Sequence, residues 1–435
     1  MTALSDRPQV RAFLPALRSA ANGRDCFLIG GAIRDWLLKK DSSDFDFATP
    51  YDPTGLAREF AAGVGGHWFA LDDSRHQSRV VADTDDGRLT FDFAPFRSAT
   101  LVGDLSLRDF TINAMAFALD DEWDQAHLID ILQGRRDLLT GTLRMCAGSV
   151  LRSDPLRILK GLRHCLELGL NLEPETLLRM SQVVPDLRFV AVERIRFEML
   201  RILCSPCDAG FCISLLMETG AGRHFWGERF AEAESALVRT RFRCQQFWKI
   251  LEGTVLDMPA VLDKKVEEGL TRKHLLQWVL LLNNIHAGCA VQTARDWRFS
   301  RGALRRIEAL EKVDKNLWKD FQKAAGHRRG LLLWAEQYGP DPLDLLLAMA
   351  LHLEQTPSIA VERVLQPLAV ILEGGTNFRV SDLVDGHFLK EHCRITDGKK
   401  IGDTLAALRE AEAYGRVTDR RQAEDLARAL VENND

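Results

Sequence analysis

Cys26-Phe-Leu-Ile-Gly-Gly-Ala-Ile-Arg-Asp-Trp-Leu-Leu-Lys-Lys-Asp-Ser-Ser-Asp44-Phe-Asp46-Phe-Ala48 sets the local order around which this chain is built. Phe27 to Ile29 reads as a short buried strand, Gly30-Gly31 as a turn, and an amphipathic helix is expected from about Ala32. The helix gives way at Asp41-Ser-Ser to a second strand carrying Asp44 and Asp46. Strand side chains alternate faces, so Phe45 and Phe47 point into a core while both carboxylates share the opposite face. Two carboxylates beside a glycine turn that opens a helix suit a metal-bound triphosphate. Helix N–H groups take phosphate, and carboxylates are hard oxygen ligands for Mg²⁺. The ordinary alternatives are a solvated Asp-x-Asp strand and a Gly-Gly that merely turns the chain.

Outward from this stretch, Val10 to Ala21 has helical spacing, and Asp52–Ala62 reads as a helix ended by Gly63 and Gly65-Gly66. His67–Leu71 and Ser78–Ala82 read as strands, with hairpin chemistry at Asp85-Asp86-Gly87 before Leu89-Thr-Phe-Asp-Phe93. In that last strand Leu89, Phe91 and Phe93 share one face and leave Asp92 on the other. A strand beside the first carboxylates would bring Asp92 towards Asp44 and Asp46.

Gly30-Gly31-Ala-Ile-Arg34-Asp, then Leu37-Leu, then Asp44-Phe-Asp46 resembles the head domain of class II tRNA nucleotidyltransferases and bacterial poly(A) polymerases. Those proteins share the DNA polymerase β nucleotidyltransferase fold. Ser106-Leu107-Arg108-Asp109-Phe-Thr-Ile-Asn113-Ala resembles the family's Arg-Arg-Asp-Phe-Thr-Ile-Asn-Ala segment, which contacts sugar and triphosphate. Leu107 stands where the family has the first arginine, so that contact is lost or supplied elsewhere. Arg108 keeps a guanidinium for phosphate oxygens. Asp109 and Asn113, four apart, would be neighbours on a helix. Ile129-Asp-Ile-Leu-Gln-Gly134-Arg-Arg-Asp137 is similar to the segment that closes the family's head.

Ser153-Asp154-Pro155-Leu-Arg157-Ile-Leu-Lys160-Gly-Leu-Arg163 is similar to the family's Glu-Asp-x-x-Arg motif and the Arg-x-x-Arg that follows it. Asp154 and Arg157, three apart at a helix start, share a face. An acceptor beside a guanidinium fork reads the amino group and neighbouring acceptor of cytosine or adenine, which uracil and guanine do not present. An i,i+3 salt bridge is the plain alternative. Ser153 replaces a Glu and Lys160 an Arg, the latter losing bidentate geometry. Glu193-Arg194-Ile-Arg-Phe-Glu198 resembles a family neck helix whose charges brace the recognition helix.

The 435 residues leave room for roughly two to four domains. A net charge of −5 gives no bulk signature of a nucleic-acid binder, so RNA contact would come from local basic faces. Arg239, Arg241 and Arg243, and the run Arg295 to Arg306 with Trp297 and Phe299, are the candidates. Nine irregularly spaced cysteines suit reduced thiols in a cytoplasm. Cys204-x-x-Cys207 lacks the second pair of a zinc site. The N-terminus has no apolar signal core, and the apolar runs near Leu275–Leu282 and Leu343–Leu351 are too short to span a membrane. Tyr338-Gly-Pro-Asp-Pro342 marks a body–tail boundary. Val380-Ser-Asp-Leu-Val, Gly398-Lys-Lys-Ile-Gly402-Asp-Thr-Leu405 and Tyr414-Gly-Arg-Val-Thr-Asp-Arg faintly resemble the family's tail. No residue pattern points to an oligomeric state.

The resemblance implies an α+β chain: a polymerase-β-type head with a small antiparallel palm sheet (1–145), then an all-α neck for base recognition (146–215), body (216–337) and tail (338–435). It implies nucleotidyl transfer from CTP or ATP to the 3′ end of tRNA, with pyrophosphate released. Asp44, Asp46 and Asp92 would be catalytic and hold two Mg²⁺. Gly30, Gly31, Arg34, Arg108, Asp109, Asn113, Lys160 and Arg163 would bind the nucleotide, and Asp154 with Arg157 would select its base. Arg97 is followed by only Ser98 to Leu107 before Arg108, without the loop by which full CCA-adding relatives switch from CTP to ATP. CC addition is therefore expected. The alternatives are full CCA addition, a poly(A) polymerase, a catalytically inactive RNA-binding relative, or a small-molecule nucleotidyltransferase.

Overall fold

A computed structural model describes the chain except residues 1, 85–86, 255–257, 314, 326–329, 332–333, 336–340, 354–355, 375–382, 414–415 and 433–435. The backbone forms two units, Met1–Cys207 with Ser214–Phe225, and Asp208–Ile213 with Trp226–Asp435.

The first unit opens with α1 (Pro8–Ala21), which starts on proline, whose fixed φ suits a first turn, and ends on left-handed Asn22. The strand–turn–helix–strand follows as β1 (Phe27–Ile29), α2 (Gly31–Leu37) and β2 (Asp44–Thr49). Then come α3 (Thr54–Val64), closed by Gly65 at φ 64°, β3 (His67–Asp72), β4 (Gln77–Thr84) and β5 (Gly87–Pro95). Of the expected hairpin turn, Asp85 and Asp86 lie outside the described residues. With β6 (Ala116–Ala118) the strands form one sheet in the order β3-β4-β5-β2-β1-β6. The sheet is mixed, where an antiparallel one was expected, because β2 and β5 run parallel. The excursion through α3, β3 and β4 supplies the crossover that a parallel pair requires.

Register puts Phe45 opposite Phe91 and Phe47 opposite Phe93. Each pair stacks, with centroids 5.6 and 5.2 Å apart, and Phe13 and Phe60 close over them edge-on. All six rings are buried. This core drives the Asp-Phe-Asp alternation and so turns the carboxylates outward. Phe91→Ala is expected to cost about 3–5 kcal/mol. The cost would be read as a lower urea midpoint with unchanged m-value.

Beyond β5 the chain makes a short helix, α4 (Leu101–Ser106), capped by the Thr100 hydroxyl. The expected helix at Asp109–Asn113 is absent. That segment is extended at Phe110 and then makes one tight turn, Thr111–Asn113. Its backbone groups are taken by the chain at 144–146 instead, Thr111 N–H donating to Arg144 O and Cys146 N–H to Asp109 O. After α5 (Gly134–Leu139), β7 (Thr142–Leu143) pairs with β8 (Asn171–Leu172), so the neck is not purely helical. Between them lie α6 (Val150–Ser153) and α7 (Leu156–Leu168); α8 (Pro174–Val183) and α9 (Val192–Leu203) follow. A Cβ on Gly161 of α7 would stand 2.6 Å from the buried Phe110 ring. Glycine there lets α7 pack closely against Phe110 within the first unit.

Among its described residues the second unit is helical apart from β9 (Lys265–Glu267) and β10 (Leu270–Thr271). Its core overturns part of the expected RNA-facing surface. Trp297 and Phe299 are buried against Trp278 and Trp226. Arg306 donates to Asp344, which also accepts from the buried Arg272 at 2.9 Å. Arg241 has no exposed surface. Apolar faces and paired charges drew these residues inward. Residues 338–340, 380–382 and 414–415 of the expected tail motifs lie outside the described residues. No described helix is long and apolar enough to cross a membrane.

Candidate active site

Gly30 caps α2 with φ 82°, and a Cβ there would meet Asp46 Oδ2 at 3.0 Å. Glycine is needed for both the turn and the approach. The β1–β2 register, Ile29 opposite Asp46, brings the carboxylate to the foot of α2, and the β2–β5 register sets Asp92 beside Asp46. Burial, Asp92 and Asp44 push the Asp46 carboxyl up to about 6, against the opposing pull of Arg108 and Arg97. Among the described residues neither Asp44 nor Asp46 has a hydrogen-bond or ion-pair partner for its carboxylate. Unspent carboxylate oxygens at adjacent outward positions fit a divalent cation such as Mg²⁺. Asp92 does not offer the same. The Arg79 fork donates to both of its oxygens, at 2.6 and 2.7 Å. No group of three metal-ligating side chains converges among the described residues.

Asp46 floors a cleft of about 780 Å³, within the range of small-molecule sites. Six cations line it, Arg34, Arg75, Arg97, Arg108, Arg157 and Lys160, against three carboxylates, Asp46, Asp109 and Asp154. In a chain of net charge −5 that is a local excess suited to an anion. The cations are aimed. Arg34 donates to Asp35 and, at 2.7 Å, to Asn113 Oδ1. Arg108 donates through Nε and Nη2 to the buried Asp104, whose other oxygen accepts from the Arg97 amide. Burial works against ionisation of Asp109, yet nearby His164, the Phe110 amide and the Asn113 side chain hold its carboxyl below the usual range. Asp109 and Asn113 are neighbours after all, across a turn.

At the far end Asp154 and Arg157 both line the cleft, linked by the Arg157 amide to the Asp154 carbonyl but with side chains that do not pair. Arg194 donates to Asp154 Oδ2 at 3.0 Å, and Arg157 Nη1 donates to the Val150 and Leu107 carbonyls. Arg157 Nε and Nη2 have no partner among the described residues. Gly30, Gly31, Arg34, Asp46, Arg108, Asp109, Asn113, Asp154, Arg157 and Lys160 are thus gathered as expected. Asp44 is exposed where β2 begins. Arg163 is not brought to the cleft; its guanidinium goes to the buried Glu198 and to Glu167.

A model of the poly(A) polymerase head domain matches residues 26–144, and one described as the probable RNA and SrmB-binding site of polymerase A matches residues 169–227. An A-adding tRNA nucleotidyltransferase of Deinococcus radiodurans is 31% identical, covering 93% of this chain and 95% of that one. The chain belongs to the tRNA nucleotidyltransferase family. A CC-adding tRNA nucleotidyltransferase of Geobacter sulfurreducens is 28% identical, with 95% of each covered. The fold matches a solved CCA-adding enzyme in complex with ATP over 98% of each chain, with TM-score 0.71 and 18% identity.

The sequence reading missed Arg75, Gln77, Pro95, Phe96 and Arg97 as lining residues. For a tRNA nucleotidyltransferase Arg97 matters most, because its Nη1 donates to the carbonyl of Leu107. A guanidinium therefore stands beside the position where family members carry the arginine that this chain lacks. Burial, and the nearby Arg108 and Arg157, lower the Arg97 pKa, as expected of a cation cluster awaiting an anion. The usable signal was its place directly after the Asp92 strand.

Proposed function

We propose that this enzyme transfers CMP from CTP to the 3′-hydroxyl of tRNA in the cytoplasm, releases pyrophosphate, and stops at CC. The observation that carries the reading is a single cleft with unpaired carboxylate oxygens at one point, six cations around it and an acceptor–donor pair for a base edge. Gly30, Gly31, Arg34, Arg97 and Arg108 would hold the triphosphate. Asp154 and Arg157 would read cytosine, with Arg194 and the Val150 carbonyl fixing their directions. Lys160 would add charge without fork geometry. Mg²⁺ held by Asp44 and Asp46 would ease deprotonation of the attacking hydroxyl and neutralise the leaving pyrophosphate. Asp92, clamped by Arg79, would keep the Asp46 carboxylate poised through its charge. The test is incorporation of radiolabelled CTP into a tRNA transcript that ends at the discriminator base. No incorporation with Mg²⁺ present would sink the proposal.

Base choice gives a second measurement. Arg157→Ala and Asp154→Ala are each expected to weaken discrimination of CTP from UTP by roughly 1–3 kcal/mol, about ten- to a hundredfold. An unchanged CTP/UTP ratio of kcat/KM in both variants would remove the pair from this role.

A further inference from the structure

The outward face of the sheet continues beyond the carboxylates. Asp46 pairs with Asp92, Asp92 with Arg79, and Arg79 with Phe69, so four side chains form one row opposite the phenylalanine core. The outer end of the row is apolar and open. Phe69, and Leu71 at the register shift between Ala70 and Asp72, are each 43% exposed on β3. Large apolar side chains on an edge strand are a liability that charged residues normally replace. Arg79 spends Nε and Nη2 on Asp92, and its Nη1 has no partner among the described residues.

Reaction geometry selects the occupant. In an in-line displacement at phosphorus the attacking and leaving oxygens lie on opposite sides. Gly30, at the end of β1, lies on one side of β2; β5, β4 and β3 extend on the other. With the triphosphate on the glycine side, the attacking hydroxyl approaches from the side of Asp92, Arg79 and Phe69. Three strand spacings, roughly 14 Å, separate β2 from β3, a span that about two extended nucleotides cover.

We infer that this row seats the acceptor end of the RNA. A base of the last two nucleotides stacks on Phe69 beside Leu71, and its phosphate meets the free edge of Arg79. Stacking suits this place because every base has a π-face. The acceptor presents a new terminal base after each addition, so a base-specific seat would reject its own product. The inference rests on the proposed transferase activity, and the experiment separates the two.

Wild-type protein must first incorporate CMP into a tRNA transcript lacking CCA; failure there removes the transferase reading and this one with it. Given that activity, Phe69→Ala is expected to raise KM for the transcript about tenfold. CTP affinity, measured by calorimetry without RNA, should not change, and Phe69→Trp should restore KM. An unchanged transcript KM in Phe69→Ala overturns the inference, as does a parallel loss of CTP binding. A change in self-association by sedimentation, with transcript KM unaltered, also overturns it and makes the strip a contact between protein copies.

Discussion

Asp46→Ala and Asp44→Ala are expected to lower CMP incorporation by orders of magnitude while tRNA affinity stays nearly intact. The two carboxylates have no partner among the described residues, so their removal costs no folded contact and acts on the ions alone. Most of the tRNA affinity is expected from contacts away from these two carboxylates. Asp46→Asn separates chemistry from folding more sharply. The native Asp46 carboxyl titrates at about 6, above its unfolded value of 3.8. Well below pH 3.8 both states hold the proton and the shift has no effect on stability. Above pH 6 the native state carries the full penalty of an ionised, crowded carboxylate. In EDTA at pH 8, Asp46→Asn should therefore be more stable than wild type by up to about 3 kcal/mol, a gain that disappears by about pH 3. Urea unfolding at the two pH values measures it. An inactive variant that is less stable at pH 8 would mean that Asp46 is structural, and near wild-type incorporation would remove it from catalysis.

Most of that site was legible because strand alternation is a short-range rule. Phe45 and Phe47 had to face the core, so Asp44 and Asp46 had to face away, and no tertiary information was required. Asp92 shows where the rule stops. Alternation put it on the correct face, and register brought it beside Asp46, but only the structure reveals Arg79 thirteen residues earlier holding both of its oxygens. Asp104 was hidden for a related reason. A buried aspartate in a six-residue helix has no periodic signature, yet it aims Arg108. Helical spacing at Asp109–Asn113 misled because backbone partners at 144–146 outcompeted a local helix. Composition misled at Arg241 and Trp297, which are buried, and at Arg306, which is half-buried and tied to Asp344.

On the proposed reading, the terminal nucleotide turns on the interval between Arg97 and Arg108. To pass from cytosine to adenine, something must re-aim Asp154 and Arg157, and a loop of low local stability is the usual device. Here the interval is consumed by α4. The Thr100 hydroxyl caps its start, and the buried Asp104 ties the Arg97 amide at one end to the Arg108 guanidinium at the other. No length is left over for a lid. Arg157 donates to the Leu107 carbonyl just past α4, so the arginine proposed to read the base leans on the same strut. Kinship does not choose the product, since the Geobacter relative is named for adding CC and the Deinococcus relative for adding A. On the proposed reading the strut favours a stop at CC. Transcripts incubated with CTP and excess ATP are expected to end in CC on 3′-end sequencing. Inserting a longer loop from a CCA-adding enzyme between Arg97 and Leu107 should release the strut and permit some terminal AMP. Wild-type products ending mainly in CCA would show that the pocket is re-aimed from elsewhere, and the strut would lose its role in termination.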